Sequence, residues 1–362
     1  MGIETTQQIA GKDCVTNSSM ACFKQCRRKY YYSYELGWRP AVEKAPLRFG
    51  SQFHAALDEL CKGEDYDVVI NKIDIAYDTV ASNLFDPEKI YDLQMECQTL
   101  KTLLSGYVAA WADSQIKIIE SETSFQLPII NPETGYPARI FQQAGKRDRL
   151  GILPDGRTAL IETKTVSDDI TPGSDYRNVL SINQQISMYV LAAKAEGHDI
   201  ETTIYDCIRK PTIRPCDVAL TDEQGIKVVL DEQGQRVLKA NGEPRQTGDT
   251  AKGYTLQTRP MTAEEWDNKL SADILDRPDF YYQRFEVPRL ESDLKEFAYE
   301  LWDIAQDINT ARKNNLWYRN TGACRAWSSL CPYYGLCSGQ LSTDTLPDGF
   351  RQVETVHEEL NQ

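Results

Sequence analysis

The spacing of apolar and polar residues along the chain predicts both helices and strands. Apolar residues at helical spacing predict helices from Thr16 to the aromatic run at 30–32, around Phe53 and Leu57, in two or three segments between 66 and 118, from Ser181, and between 262 and 315. Alternating residues predict strands over Ile118–Leu127 and Thr202–Arg209. Thr16 and Thr262 are residue types that cap helix N-termini, so we expect helices to begin there.

The stretch 145–165 predicts a hairpin of two short strands around the turn Pro154–Gly156. With that turn, Asp148 lies opposite Glu162, and Lys164 lies on the same face as Glu162. Two carboxylates and an ammonium group would then sit at the end of an apolar surface, which is unfavourable without compensation. A divalent metal held by the carboxylates, with the lysine directed at a bound anion, would supply that compensation.

Two other regions allow more than one interpretation. On the strand before the hairpin, Glu120 or Glu122 could reach such a metal, although an exposed strand carboxylate is the favoured interpretation. The stretch 211–260 is rich in Gly, Asp and Gln and predicts an inserted β-hairpin flap. The flap could guide a nucleic-acid strand or bind a partner. An insertion without a functional role is the slightly favoured interpretation.

Composition limits the classes of function. The 362 residues carry a net charge of −14, which argues against a protein that coats nucleic acid through bulk electrostatics. Two local basic clusters remain as phosphate contacts, Arg27–Lys29 and the group Lys146, Arg147 and Arg149. We expect a cytoplasmic protein without membrane association, because the sequence shows neither a secretory signal nor an apolar run of membrane-spanning length.

Three of the ten cysteines lie close together near the C-terminus. Cys324, Cys331 and Cys337 follow the spacing C-x6-C-x5-C. In a reducing compartment, clustered cysteines indicate a metal or cluster site before disulfides. Zinc and iron–sulfur clusters both accept four thiolates, so a fourth ligand is expected elsewhere in the chain.

Four separated blocks, taken in order, resemble the PD-(D/E)xK nuclease superfamily and in particular its RecB-like branch. The blocks are Ser18–Tyr31 with Cys26 followed by a basic pair and aromatics, Phe49-Gly-Ser-x-x-His54, the hairpin with Gly145-x-x-Asp148 and Glu162-Thr-Lys164 followed by Gln185-x-x-x-Tyr189, and the C-terminal cysteines. That last group is similar to the one in CRISPR-associated exonucleases with an iron–sulfur cluster, although the usual first gap is two residues. The wider gap here places Cys324 in more doubt than the other two.

The resemblance implies an α/β fold, a restriction-endonuclease-like mixed central sheet flanked by helices. It implies a single nuclease domain over 1–362. The expected parts are an N-terminal helical part at 16–120, a catalytic core at 120–210, the inserted flap at 211–260, C-terminal helices and cysteines at 261–340, and a polar, frayed tail at 341–362.

The resemblance also implies the chemistry of a DNA nuclease that acts on single-stranded ends in recombination, repair or processing, with a recombination or helicase protein as a candidate partner. His54, Asp148 and Glu162 would hold Mg²⁺ or Mn²⁺, and Lys164 would orient the attacking water or neutralise charge. Gln185 and Tyr189 would position the strand. A 4Fe-4S cluster would be held by Cys26, Cys324, Cys331 and Cys337, with Cys22 as the alternative first ligand. The competing hypotheses are a non-catalytic DNA-binding or recombination-partner module, and structural zinc in place of the cluster.

Overall fold

The computed structural model describes residues 12–42, 45–326 and 329–360. The helices are α1 Asn17–Gln25, α2 Arg27–Tyr30, α3 Ala45–Cys61, α4 Tyr66–Ala81, α5 Pro87–Ala110, α6 Asp175–Leu180, α7 Gln184–Ala195, α8 Ala263–Asp276, α9 Pro278–Tyr281, α10 Glu291–Asn314 and α11 Tyr334–Ser338. The strands are β1 Asp13–Val15, β2 Trp38–Pro40, β3 Lys117–Ile130, β4 Pro137–Ile152, β5 Thr158–Val166, β6 Thr202–Arg209, β7 Val218–Ala219, β8 Val229–Leu230, β9 Thr255–Leu256, β10 Thr258–Arg259, β11 Tyr282–Glu286, β12 Arg325–Ala326, β13 Ser329–Leu330 and β14 Phe350–Gln352.

The chain forms two compact units. The first comprises 1–69, 113–208 and 282–362, and the second comprises 70–112 and 209–281. A six-stranded sheet lies in the first unit, with the strand order β1-β4-β5-β6-β11 and with β3 also paired to β4. The sheet is mixed, because β1 runs parallel to β4 whereas β3 and β5 run antiparallel to it.

Helices α1, α7 and α10 flank this sheet and share one apolar core with it. Phe23 of α1, Met188 of α7 and Leu301 of α10 pack with Leu150 and Leu160 of the sheet, and all five are almost fully buried. Burial of side chains of this size is the main stabilising contribution to such a layered arrangement. The predicted α/β fold with a mixed central sheet and flanking helices is therefore confirmed.

The hairpin β4–β5 has the register that the turn predicts. Leu150 pairs with Leu160 and Arg149 pairs with Ile161, so the next position along the strands sets Asp148 against Glu162. Gly156 closes the turn with a φ of 92°, a conformation that glycine adopts without the steric cost of a side chain. The turn residues alone thus determine which side chains meet at the far end of the hairpin.

The N-terminal helix is shorter than the apolar pattern predicts. Thr16 caps α1 as expected, but the helix ends before Cys26, whose backbone is extended at φ −164° and ψ 113°. A short helix, α2, and a π-helical turn, Tyr31–Glu35, follow. The distant C-terminal segment stabilises the break, because the backbone N–H groups of Arg28 and Asn320 bond to Tyr318 O and Cys26 Sγ.

The C-terminal stretch, expected to be a frayed tail, is ordered over its described residues. β14 pairs antiparallel with β2, so Gln352 lies beside Trp38. Val353 is buried, and its N–H bonds to Gly37 O. The pairing satisfies backbone groups that a frayed segment would leave to water.

The second unit contains α5, α8 and the 211–260 stretch. Thr262 forms a capping box with Glu265 at the start of α8, as its sequence predicts. The 211–260 stretch consists of the short pairs β7–β10 and β8–β9 with three tight turns that contain Gly225, Gly234 and Gly242.

Candidate metal centre

Two carboxylates meet where β4 lies beside β5. Asp148 Oδ2 accepts a hydrogen bond from the Thr163 N–H at 2.8 Å. Glu162 is 1% exposed, and its Oε1 accepts from Lys164 Nζ at 2.6 Å. Glu162 Oε2 is buried and has no hydrogen-bond partner among the described residues. A buried carboxylate oxygen without a partner is costly, and a cation would remove that cost.

His54 reaches the same place from helix α3. Phe49, Phe53 and Leu57 are spaced four residues apart and form the buried face of that helix. His54 lies at the edge of this face. Its Nδ1 lies 3.4 Å from Asp148 Oδ2. Burial lowers the pKa of the imidazole, but the charge of Asp148 and the hydrogen bond to it outweigh burial, so the pKa is raised.

Glu122 also lies at this centre, which corrects its interpretation as an exposed strand carboxylate. One ligand atom from each of His54, Glu122 and Asp148 lies within 4.8 Å of the others. Strand register explains the position, because the neighbouring pairs Ser121–Arg149 and Thr123–Arg147 put Glu122 across from Asp148.

The backbone at Glu122 has a φ of 50°, which is unusual for a residue other than glycine and occurs often at functional sites. Its carboxylate pairs with Lys146, while the neighbouring Glu120 pairs instead with Arg147 and His198. The alternating pattern of the strand could have indicated Glu122 only together with its register against β4.

A hydrogen-bonded chain links the catalytic lysine candidate to helix α7. Lys164 Nζ donates to Gln185 Oε1 at 2.7 Å, and Gln185 Nε2 donates to Tyr189 Oη at 3.1 Å. The ring of Tyr189 is buried edge-on against Phe125. The tyrosine therefore orients Gln185 and offers no free face for a base.

Gly145 makes this packing feasible. A Cβ at that position would lie 2.7 Å from the Phe125 ring and 2.9 Å from the Tyr189 ring, closer than such atoms approach in proteins. The glycine of the Gly145-x-x-Asp148 pattern thus allows the rings of Phe125 and Tyr189 to pack against β4.

The electrostatics of the centre favour a bound cation. Burial, reinforced by the charge of Asp148 and opposed by Lys164, raises the pKa of Glu162 to about 7. Burial acts against ionisation of Asp148 as well, but His54 and Lys164 outweigh it and lower its pKa. Burial lowers the pKa of Lys164, but the charges of Glu162 and Asp148 outweigh burial and raise it. A divalent cation at this centre would replace the proton of Glu162, because a nearby positive charge favours the ionised form of a buried carboxyl group.

A family model of the PD-(D/E)XK nuclease superfamily matches residues 15–338. The chain belongs to the PD-(D/E)XK nuclease superfamily. Nucleases of this superfamily usually use divalent metals, in keeping with the centre described above. A comparison with curated proteins found no match. Among the described residues of this nuclease, no helix has the length and apolar character needed to span a membrane.

The nuclease brings four cysteines from distant parts of its chain to one small pocket. Cys26, Cys324, Cys331 and Cys337 all line it, whereas Cys22 is buried in the apolar core. The wide gap between Cys324 and Cys331 is spanned by the antiparallel pair β12–β13, and the Cys331 N–H bonds to Cys324 O at 2.8 Å. The hairpin sets these two cysteines side by side despite the six residues between them.

One of the two predicted basic clusters does not face solvent. Arg147 and Arg149 are 2% and 6% exposed, and they pair with Glu196 and Asp206 inside the protein. Lys146 pairs with Glu122. Their expected role as phosphate contacts is therefore wrong, because the two arginines are buried in pairs with carboxylates and Lys146 neutralises a carboxylate of the metal centre.

Proposed function

We propose that this protein is a metal-dependent deoxyribonuclease that hydrolyses phosphodiester bonds at the His54–Asp148–Glu162 centre. The observation that carries the proposal is the buried Oε2 of Glu162, which has no hydrogen-bond partner among the described residues. His54, Glu122 and Asp148 form a group of candidate metal ligands on the neighbouring elements. Such an arrangement destabilises the protein unless a cation binds, so it is expected where binding is the function.

His54, Asp148 and Glu162, with Glu122 as a fourth ligand, would hold Mg²⁺ or Mn²⁺. The carboxylates suit either ion, and the imidazole favours Mn²⁺. When bound, the ion would lower the pKa of a water and offset negative charge on the phosphate. The Thr163 N–H, bonded to Asp148 Oδ2, keeps that carboxylate in a fixed orientation.

Lys164 would act on the attacking water or on the charge that develops on the phosphate. Its ammonium group is held between Glu162 and Gln185, so its position is defined from two sides. Positioned cations of this kind act where charge develops in the transition state. Gln185 would position both Lys164 and the strand, and Tyr189 would act through Gln185.

The finer assignment follows the resemblance to RecB-like nucleases. We infer exonuclease action on single-stranded DNA ends in recombination, repair or processing, in the cytoplasm and in concert with a recombination or helicase protein. The support is the order of the motif blocks and their convergence in the first unit of the structure.

The pocket of four cysteines would hold a 4Fe-4S cluster. The support is that Cys26 from the N-terminal helical part and three C-terminal cysteines line one pocket, as the resemblance to nucleases with an iron–sulfur cluster implies. Anaerobically purified protein should contain about four iron atoms per chain, whereas zinc without iron would contradict this assignment.

The first test uses two aspartates of the same hairpin. Asp148→Ala should reduce Mn²⁺-dependent degradation of end-labelled single-stranded DNA at least about 100-fold, because it removes a metal ligand. Asp155→Ala removes an exposed carboxylate from the turn and should leave the rate unchanged. Full activity in Asp148→Ala would refute the proposed centre. DNA binding by the wild type without cleavage, in both Mg²⁺ and Mn²⁺, would favour the non-catalytic binding module.

A further inference from the structure

A second, basic pocket lies in the first unit next to the cysteines. It has a volume of about 400 Å³ and lies between the end of α1, the middle of α10 and the segment 318–320. Lys24, Arg27 and Arg319 line it together with a single carboxylate, Asp307. Three cations against one carboxylate contrast with the net charge of −14 for the whole chain. The pocket is thus a local site for an anion in an acidic protein.

An ordered aromatic column forms one wall of this pocket. The Arg27 guanidinium lies between two rings, 4.7 Å from the Phe23 centroid and 4.8 Å from the Tyr318 centroid. Its ion pair with Asp307, at 2.6 Å, holds the guanidinium in that orientation. Tyr318 ends the column and is 59% exposed. A further planar group can stack there at low entropic cost, because the supporting rings are already in place.

The pocket and the metal centre each make a hydrogen bond to the start of α7. Gln184 Oε1 accepts a hydrogen bond from Lys24 Nζ at 2.5 Å, and Gln185 Oε1 accepts from Lys164 Nζ at 2.7 Å. The first turn of α7 therefore contacts a lysine of the basic pocket and the lysine of the metal centre.

We propose that this pocket is a subsite for single-stranded nucleic acid, in which an unpaired base stacks on Tyr318 and neighbouring phosphates contact Lys24 and Arg319. The inference rests on the proposed nuclease function and adds to it the path of the strand away from the metal centre. Single-stranded substrate follows from the stacking wall, because only an unpaired base offers a free face to a tyrosine ring. Basic side chains interleaved with an aromatic residue are the usual means of holding such a strand.

Binding is the direct measurement, made by fluorescence anisotropy with a labelled oligothymidine in the absence of divalent metal, so that no cleavage is required. Tyr318→Ala should raise Kd about five-fold or more, the usual cost of losing one stacked base. Tyr318→Trp should restore binding, because it restores a stacking face. Tyr136→Ala, which removes a still more exposed tyrosine from the β3–β4 loop, should bind as the wild type does.

The phosphate contact is tested by salt dependence. Lys24→Gln should reduce the slope of log Kd against log salt by about 0.7, the value for one contact to a single strand. Lys295→Gln removes an exposed lysine from another part of α10 and should leave the slope unchanged.

The outcomes separate this subsite from the nuclease centre. Unchanged Kd in Tyr318→Ala, or an effect equal to that of Tyr136→Ala, would overturn the subsite even in an active nuclease. Failure of Tyr318→Trp to recover binding would also overturn it, since that result indicates a structural role. Loss of binding in Tyr318→Ala together with a wild type that never cleaves DNA would support the subsite and refute the hydrolytic function.

Discussion

The metal centre and the cysteine pocket are assembled in opposite ways. Asp148, Glu162 and Lys164 lie within one hairpin, and a single turn sets their register. The cysteines come from residue 26 and from residues 324–337, and they meet only when the two ends of the chain fold together. The hairpin residues are local in sequence, although His54 and Glu122 join them from α3 and β3, whereas the cysteine pocket depends on contacts between distant segments.

This difference predicts which variants disturb stability and which disturb chemistry. Removal of one group from the metal centre should impair hydrolysis directly, because that group would act on the ion or on the phosphate. The cysteine pocket joins distant segments, so occupation of that pocket should contribute to the stability of the native state.

The largest change in stability is expected for Cys331→Ser. Loss of one thiolate ligand should release the proposed 4Fe-4S cluster and lower the free energy of unfolding by at least about 3 kcal/mol, a fall in Tm of about 6 °C or more. Thermal unfolding and iron content of anaerobically purified protein provide the measurement. Cys61→Ser, at an exposed cysteine of α3, is the matched control and should keep both wild-type values. Equal Tm values for the two variants would remove the contrast between the sites.

A smaller loss of stability is expected for Gly145→Ala. The added methyl group would meet the rings of Phe125 and Tyr189, and overpacking of this kind costs about 1–3 kcal/mol. Denaturant unfolding measures the loss. Gly156→Ala changes a glycine with a φ of 92° and no nearby atoms, so it separates backbone strain from steric clash. A Gly145→Ala protein as stable as the wild type would show that the rings can move aside.

The affinity of the centre for Mn²⁺ should increase about ten-fold between pH 6 and pH 8. The pKa of Glu162 is raised to about 7, so Mn²⁺ competes with a proton below that pH and binds freely above it. Kd for Mn²⁺ should therefore be about ten-fold higher at pH 6 than at pH 8. The raised pKa of His54 acts in the same direction. Calorimetric titration measures the affinity, and Glu162→Gln should flatten its pH dependence. An affinity that weakens as pH rises would contradict the described charge balance.

The smallest effect is expected for Tyr189→Phe. The substitution keeps the buried ring and removes only the oxygen that accepts from Gln185, a bond worth about 1 kcal/mol. We expect kcat to fall about five-fold with little change in KM, because Gln185 loses the group that orients it toward Lys164. A change confined to KM would instead indicate direct contact between Tyr189 and the strand.

The sequence predicts the hairpin well because its geometry is local. A three-residue turn and a two-residue period suffice to bring Asp148 opposite Glu162 and Lys164 onto the same face as Glu162. Capping residues locate the starts of α1 and α8 for the same reason.

The remaining features depend on packing that no short stretch encodes. Glu122 reaches the metal centre through the register of β3 on β4, and the interruption of α1 at Cys26 depends on a segment almost 300 residues away. Arg147 and Arg149 resemble surface cations in the sequence, but they are buried and paired with Glu196 and Asp206. The charge pattern alone does not show which cations acquire buried carboxylate partners from distant elements.

The most direct test of the metal centre is single-turnover degradation of end-labelled single-stranded DNA in Mn²⁺ by the wild type and by Lys164→Ala, with Lys194→Ala as the control for an exposed lysine paired with Glu291. We predict cleavage by the wild type and by Lys194→Ala, and at least about 100-fold slower cleavage by Lys164→Ala. Equal cleavage by all three proteins would contradict a catalytic centre on this hairpin.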